Sequence, residues 1–298
     1  MTAEALGEAS GLPPERARTL LTAVASLGLV SVEGDRFANA PAAEAFLVKG
    51  AKYDFGDYLR LQVDRQMYSL LDQIEPALAD RLPEDATGSY AQWFEDPEEA
   101  RLYSESQHAG SLGPARGLAK LADLSKARSL LDVGGGTGAY AITLCAAFEG
   151  LQATVVDFPN VARLGRRYVK EAGLSDRISY IEGNALETDW PGGQDAILMS
   201  YLFSGVPGEA HEGLISRAYR TLAPGGRYMI HDFMVEDDRT GPPMAALWQL
   251  QHMAFTPNAR SVTPGWLRNR LSEVGFVDIE EDEMVPGLTR LIHARKPG

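Results

Sequence analysis

Apolar positions follow two different rhythms along this chain, and the change of rhythm divides it. In AEALGEASGL and then in PPERARTLLTAVASLGLV, leucines and alanines recur at helical spacing, so residues 3–30 read as two helices. Pro13 and Pro14 suit a helix start, and Gly28 suits its end. VSVEGDRFAN then alternates around Gly34 and Asp35, which predicts a small hairpin. Two helices and a hairpin make a winged-helix pattern. Residues 42–125 keep a helical rhythm, with breaks near Pro83 and Pro97. From Leu130 the apolar runs shorten to strand length: SLLDVGG, ATVVDF, ISYIEG, AILMSYLF, GRYMIHDFMV and LTRLIHARK, most of them separated by helical stretches. Strand–helix alternation predicts an α/β domain, doubly wound and Rossmann-like, with a largely parallel sheet. The expected division is a mostly helical, winged-helix-like unit with linking helices over residues 1–90 and an α/β unit over residues 91–298. No internal repeat breaks this plan.

Composition narrows the class of partner. Hydrophobic residues make up 45% of the 298, enough to build one large core or two ordinary ones. The net charge of −13 argues against nucleic acid or an anionic membrane, because phosphate contacts need clustered Lys and Arg. The second helix, the candidate recognition helix of a DNA-binding regulator, offers only Arg16 and Arg18 as cations. Cys145 is the single cysteine, so no disulfide forms within the chain and no thiolate metal site is expected; a buried apolar role suits it. The start MTAEALGEASGL lacks a basic region followed by an apolar core, and no run is long enough to span a bilayer. A cytoplasmic setting is the expectation.

LLDVGGGTGAYAITL, residues 130–144, carries the strongest local chemistry. An apolar strand runs into Gly134-Gly135-Gly136-Thr137-Gly138 and a helix follows, so backbone can turn sharply and approach a ligand closely. No lysine follows the glycines, which excludes a P-loop, and GGGTG departs from GxGxxG at its last position. ATVVDF then ends an apolar strand on Asp157, about twenty residues past the loop, where a carboxylate can accept from both hydroxyls of a ribose. Gly183-Asn184-Ala185 closes the next strand at a point where an adenine could sit.

DVGGGTG, DFPNV, GNAL and LAPGGRYMIHD, in that order and spacing, resemble the class I S-adenosylmethionine-dependent methyltransferases. With GLPPERARTLLTAVASLGLV and FANAPAAEAFL ahead of them, the resemblance narrows to the small-molecule O-methyltransferases with an N-terminal dimerisation domain. It implies S-adenosyl-L-methionine as cofactor, a small-molecule substrate and a homodimer. It implies that Gly134 and Gly136 pass the methionine part, Asp157 holds the ribose, and Asn184 and Ala185 face the adenine, with Phe158, Gly183 and Ser200 completing the cofactor set. The family usually has Asp at the position of Asn184 and further helices before the winged helix.

One departure bears on chemistry. In the family a histidine follows the fourth strand of the domain and takes the proton from the hydroxyl being methylated. The matching residues here are Phe203, Ser204, Gly205 and Val206. Serine is a poor base at neutral pH, and general-base help is worth roughly two to four powers of ten. Three readings follow. The nucleophile is a thioether, amine or activated carbon that needs no base; another histidine, from His108, His231 and His252, serves; or the chain binds cofactor without chemistry. His231 and Asp232 alternate on one strand and should face opposite ways. His231 equally suits a satisfied core position. The stretch from Ser89 to Arg116 offers Tyr90, Trp93, Tyr103, Gln107, His108 and Arg116. On a helix, Met244, Trp248, Gln251 and His252 would share one face. Tyr103, Gln107, His108, Tyr201, Ser204, His231, Trp248 and His252 are the candidates for aligning substrate.

SESQHAGSLGPARGLAKLADLS, SYLFSGVPGE and HDFMVEDDRTGPPMAALWQLQHMAFTP resemble bacterial 4-methylthio-2-hydroxybutyrate S-methyltransferases of dimethylsulfoniopropionate synthesis. That resemblance implies a thioether acid as substrate, methylated by alignment without a base. O-methylation of a phenol or hydroxyl with a displaced histidine is the alternative.

Overall fold

The computed structural model describes residues 1–51, 53–82, 89–254 and 256–298. The break expected at Pro83 lies outside these. Pro97 opens the helix Pro97–Leu121, where a missing N–H costs nothing, and Asp96 caps it by accepting from the N–H groups of Glu98 (2.7 Å) and Glu99 (3.2 Å).

The chain forms two compact units, Met1–Arg60 and Leu61–Gly298. In the first, helices Ala3–Ser10 and Pro14–Ser26 precede an antiparallel hairpin of β1 (Val30–Glu33) and β2 (Arg36–Asn39), as the alternation predicts. Ala3, Leu21 and Phe37 are buried together there. The division falls at residue 60 instead of the expected 90, because the next helical segment belongs to the second unit. Gln62 Oε1 accepts from Ser106 Oγ at 3.2 Å and Gln107 Nε2 at 2.6 Å, and Gln66 Nε2 donates to Glu99 Oε2 at 2.7 Å. The helical rhythm does not change across that point, so nothing in the pattern marks it.

The second unit is built on seven strands: β3 (Ser129–Val133), β4 (Gln152–Asp157), β5 (Ile178–Glu182), β6 (Gln194–Ser200), β7 (Leu222–Phe233), β8 (Val277–Val285) and β9 (Thr289–Arg295). Their order is β5-β4-β3-β6-β7-β9-β8. The first five pair in parallel, and β9 runs antiparallel to both β7 and β8. This is the class I methyltransferase fold. Alternate residues feed two cores. Leu131, Ile197, Met199, Tyr228 and Ile230 enter one; Leu130, Ala196, Leu198 and Met229 enter the other. Both faces are covered, which is why these strands read as continuous apolar runs.

Strand β8 escapes that reading because VDIEEDEMV is mostly acidic. It sits at the sheet edge, where charge discourages pairing with another chain. Glu281 there meets Arg268 and Arg290. Strand order reverses between β3 and β6, which opens a crevice at the carboxyl ends of the strands.

Gly165, in the helix Pro159–Glu171, lets Tyr180 pass: a Cβ there would fall 2.0 Å from the Tyr180 hydroxyl, which donates to Gly136 O at 3.2 Å. The expected outcome for Gly165→Ala is a loss of about 1–3 kcal/mol in chemical denaturation, the usual range for overpacking. Unchanged stability would show that Tyr180 has room the structure does not give it.

Candidate active site

The loops that leave β3, β4, β5 and β6 at their carboxyl ends converge on one crevice. After β3, Gly134 (φ 68°) and Gly136 (φ 60°) adopt the left-handed conformation that favours glycine. Asp157 ends β4 and ties this loop to the strand. Its Oδ2 accepts from the Gly136 N–H at 2.7 Å, and its Oδ1 accepts from the Phe158 N–H at 2.8 Å. Burial pushes the Asp157 carboxyl up to about 6, against the opposing effect of those two N–H groups. Asp132, one strand away, rises to about 7, through burial first and the neighbouring Asp157 charge second.

The loop after β6 is held from β7. Tyr201 takes an unusual φ of 58°, with its N–H bonded to His231 O at 2.8 Å. A turn follows at Phe203–Gly205, where the Ser204 N–H donates to Asp232 Oδ2 at 3.1 Å. Burial raises the Asp232 carboxyl to about 6.

A cavity of about 290 Å³ lies among these loops. Gly134, Gly136, Asp157, Phe158, Gly183, Asn184, Ala185 and Ser200 line it together. Asn184 is engaged locally: its Oδ1 accepts from the Leu186 N–H at 3.1 Å and its amide donates to Glu187 at 3.2 Å. Tyr90, Phe94, Tyr103, Tyr140 and Tyr201 supply an aromatic wall, and Ser104, Gln107 and Ser111 add polar groups from one side of the helix Pro97–Leu121. Asp157 is the one charged side chain among the described residues that line the cavity.

The sequence candidates separate here. Tyr103, Gln107 and Tyr201 line the cavity, whereas His108, Ser204, His231, Trp248 and His252 do not. His108 stacks on Tyr168 with ring centroids 3.8 Å apart, and its Nδ1 lies 2.8 Å from Thr137 Oγ1. Ser204 is buried at 1% exposure. His231 is fully buried among hydroxyls, with Nδ1 2.8 Å from Tyr140 and 2.9 Å from Ser200, and Nε2 2.9 Å from Thr289. It is a satisfied core histidine, and burial holds it down at about 3.

The expected face of Met244, Trp248, Gln251 and His252 is corrected. Met244 is 61% exposed, and the inward face of the helix Pro243–His252 carries Ala245, Gln249 and His252 instead, with Trp248 half-buried beside them. Residues 245, 249 and 252 follow the 3.6-residue turn, and Met244 falls to its outer side. Trp248 stacks on Phe233, centroids 4.6 Å apart.

His252 is reached from the cavity through one side chain. Its Nε2 lies 2.8 Å from the Tyr90 hydroxyl, which lies 3.0 Å from the Tyr103 hydroxyl. Sequence reading named Tyr90 only as one residue of the stretch from Ser89 to Arg116. It did not single out Ser104 or Ser111, although spacing of i, i+3 and i+7 through Gln107 was a visible signal of one helix face. Thr137 and Tyr140 follow directly from the glycine loop.

Fold and cavity together define an enzyme of the S-adenosylmethionine-dependent methyltransferase class. The family model described as an O-methyltransferase domain matches residues 68–277, and the chain belongs to that family. It is 29% identical over 296 residues to the tetracenomycin polyketide synthesis 8-O-methyl transferase TcmO of Streptomyces glaucescens, covering 98% of this chain and 86% of that one. It is 30% identical to the N,N-dimethyltransferase OxyT of Streptomyces rimosus, with 99% and 87% covered. The solved structure of human N-acetylserotonin methyltransferase in complex with S-adenosylmethionine superimposes with a TM-score of 0.86 at 20% identity, covering 100% of this chain and 88% of that one. S-adenosylmethionine is the cofactor of this family. The finer resemblance to thioether S-methyltransferases is not shown by these relatives, which are named for oxygen and nitrogen chemistry.

Replacing His231 with Phe removes the ring partner of three hydroxyls, and a buried hydroxyl left unpaired costs about 1–3 kcal/mol. The expected loss is at least about 2 kcal/mol at neutral pH. The folded pKa of His231 lies below its ordinary 6.5, so the unfolded chain binds the proton more readily and stability falls as pH drops from about 6.5 towards 3. His231→Phe lacks that share of the acid sensitivity, which denaturation at several pH values reads. A variant as stable as the parent would remove His231 from the core role.

Proposed function

We propose that this chain transfers a methyl group from S-adenosylmethionine to a hydroxyl of a small aromatic molecule. The observation that carries the reading is one cavity with two different sides: Asp157 and the glycine loop on one, and Tyr90, Phe94, Tyr103 and Tyr201 on the other. The residues present fit the cofactor. Each Asp157 oxygen spends one lone pair on a backbone N–H and keeps another for a ribose hydroxyl. Gly136 faces open space where a Cβ would stand, so backbone can approach the methionine part. Asn184 and Ala185 bound the adenine, and the remaining lone pair of Asn184 Oδ1 is available to its amino group.

When bound, the cofactor supplies an electrophilic methyl group on a sulfonium. The chain's own work is alignment and exclusion of water. Aromatic faces favour a flat acceptor and a nearby cation. S-methylation of a thioether acid such as 4-methylthio-2-hydroxybutyrate is supported by one observation, the missing histidine at Ser204. Against it, no Arg, Lys or His lines the cavity among the described residues, so a carboxylate finds no charged clamp. Hydroxyl methylation is the better reading.

The test is methyl transfer from labelled S-adenosylmethionine to 1-naphthol, catechol, an aryl amine and 4-methylthio-2-hydroxybutyrate. Turnover of the phenols is expected; turnover of the thioether acid alone would overturn the reading.

Asp157 gives a second expectation. Its folded pKa is raised to about 6, so it reaches full acceptor strength only above that pH. S-adenosylmethionine affinity, measured calorimetrically, should rise from pH 5 to 7 and level off. Asp157→Asn should flatten that profile and weaken binding roughly ten- to a hundredfold at pH 7.5, the value of a charge-assisted hydrogen bond. An unaltered profile would place the ribose elsewhere.

A further inference from the structure

We propose that Tyr90 and His252 form a proton relay, in which the Tyr90 hydroxyl takes the proton of the acceptor hydroxyl and passes its own to His252. This rests on the hydroxyl reading above, and the juxtaposition of Gly205, Tyr90 and His252 carries it. The loop after β6 has no base, yet its sequence makes room for another. A Cβ on Gly205 would fall 2.9 Å from Tyr90 Cε2, so glycine at this position is what lets the tyrosine ring lie against the loop. The ring stands in the cavity wall, and its hydroxyl lies 2.8 Å from His252 Nε2.

The relay uses the His252 tautomer in which Nε2 is the acceptor and Tyr90 donates to it. The Tyr90 oxygen lies 3.0 Å from the Tyr103 hydroxyl, and both residues line the cavity.

The step balances. The acceptor oxygen bonds to the methyl carbon as the bond from that carbon to sulfur breaks, with the electron pair staying on sulfur. The acceptor's proton goes to the Tyr90 oxygen, and the Tyr90 proton goes to His252 Nε2. One positive charge leaves the sulfonium and one appears on the imidazolium.

The described neighbours of the ring include Tyr90, Trp248 on its own helix and the Ser204 backbone, with Tyr103 beyond Tyr90. Asp157 and Asp232 act on Tyr103. Burial holds His252 down at about 4, so it stays neutral and able to accept throughout the physiological range. The relay therefore predicts a rate that is flat from about pH 6 upward and falls in acid.

Tyr90→Phe and His252→Gln test it with two phenols, 1-naphthol, which carries its proton at neutral pH, and 2,4-dinitrophenol, which has already lost it. The expected result is a kcat for naphthol lowered about a hundredfold or more in each variant, with KM little changed. The double variant should be no worse than either single one, because the two act as a unit. Dinitrophenol methylation should be unaffected. A second readout needs no turnover: in the histidine ¹⁵N spectrum of the cofactor-free protein, the Nε2 signal that disappears in His252→Gln should shift in Tyr90→Phe. Equal losses for both phenols, or no loss for either, would overturn the relay alone. A parent chain that methylates no phenol would overturn the hydroxyl reading and the relay with it.

Discussion

The bond from the Gly136 N–H to Asp157 Oδ2, 2.7 Å long, holds the site together. It joins the loop after β3 to the end of β4 on one side of the crevice where strand order reverses. Everything placed in the cavity is referred to it. Tyr180 reaches Gly136 O from β5, and Gly134 is pressed by Leu202 from the loop after β6, whose Cδ1 would lie 2.9 Å from a Cβ there. β4, β5 and the loop after β6 are thus fixed against one glycine turn. A buried carboxylate with a raised pKa is costly unless bonded, and two backbone donors offset that cost.

The same economy governs the histidines. In the loop after β6 this chain has Ser204, buried, with its N–H bonded to Asp232. Of the three histidines that could replace it, His231 is consumed by three hydroxyls and His108 is stacked on Tyr168. His252 connects to the cavity wall through Tyr90, as His108 does through Thr137 and His231 through Tyr140 and Ser200. Burial makes it a weak base, and this alters how pH profiles are to be interpreted. A base held near 4 gives the same flat rate at neutral pH as a reaction with no base at all. Only the dependence on the acceptor's own acidity separates them.

Much of this was legible in the chain. Continuous apolar runs announce strands covered on both faces, and the spacing from GGGTG to Asp157 to Gly183 announces a crevice shared by three strands. These are local features, and local chemistry forces them. β8 was not legible, because its acidic residues answer to an edge position that only the sheet order reveals. The unit boundary was not legible either, because Gln62 and Gln66 are bound by hydrogen bonds to residues more than thirty positions away. Tyr90 and His252 are 162 residues apart, and no pattern along the chain relates them. Gly205 is the nearest thing to a sign. A Cβ there would fall 2.9 Å from Tyr90 Cε2, so the glycine leaves space for that ring.

The electrostatics of the site follow from what is missing. Asp132, Asp157 and Asp232 are all buried with raised pKa values, and no cation lines the cavity among the described residues. Such a set is short of positive charge, so a cationic ligand relieves it and pulls those carboxyls back towards ionisation. A sulfonium brings that charge; its demethylated product does not. If the charge simply vanished on methyl transfer, the product state would return to unrelieved carboxylates. Passing the acceptor's proton to His252 leaves a positive charge within the same apolar surroundings.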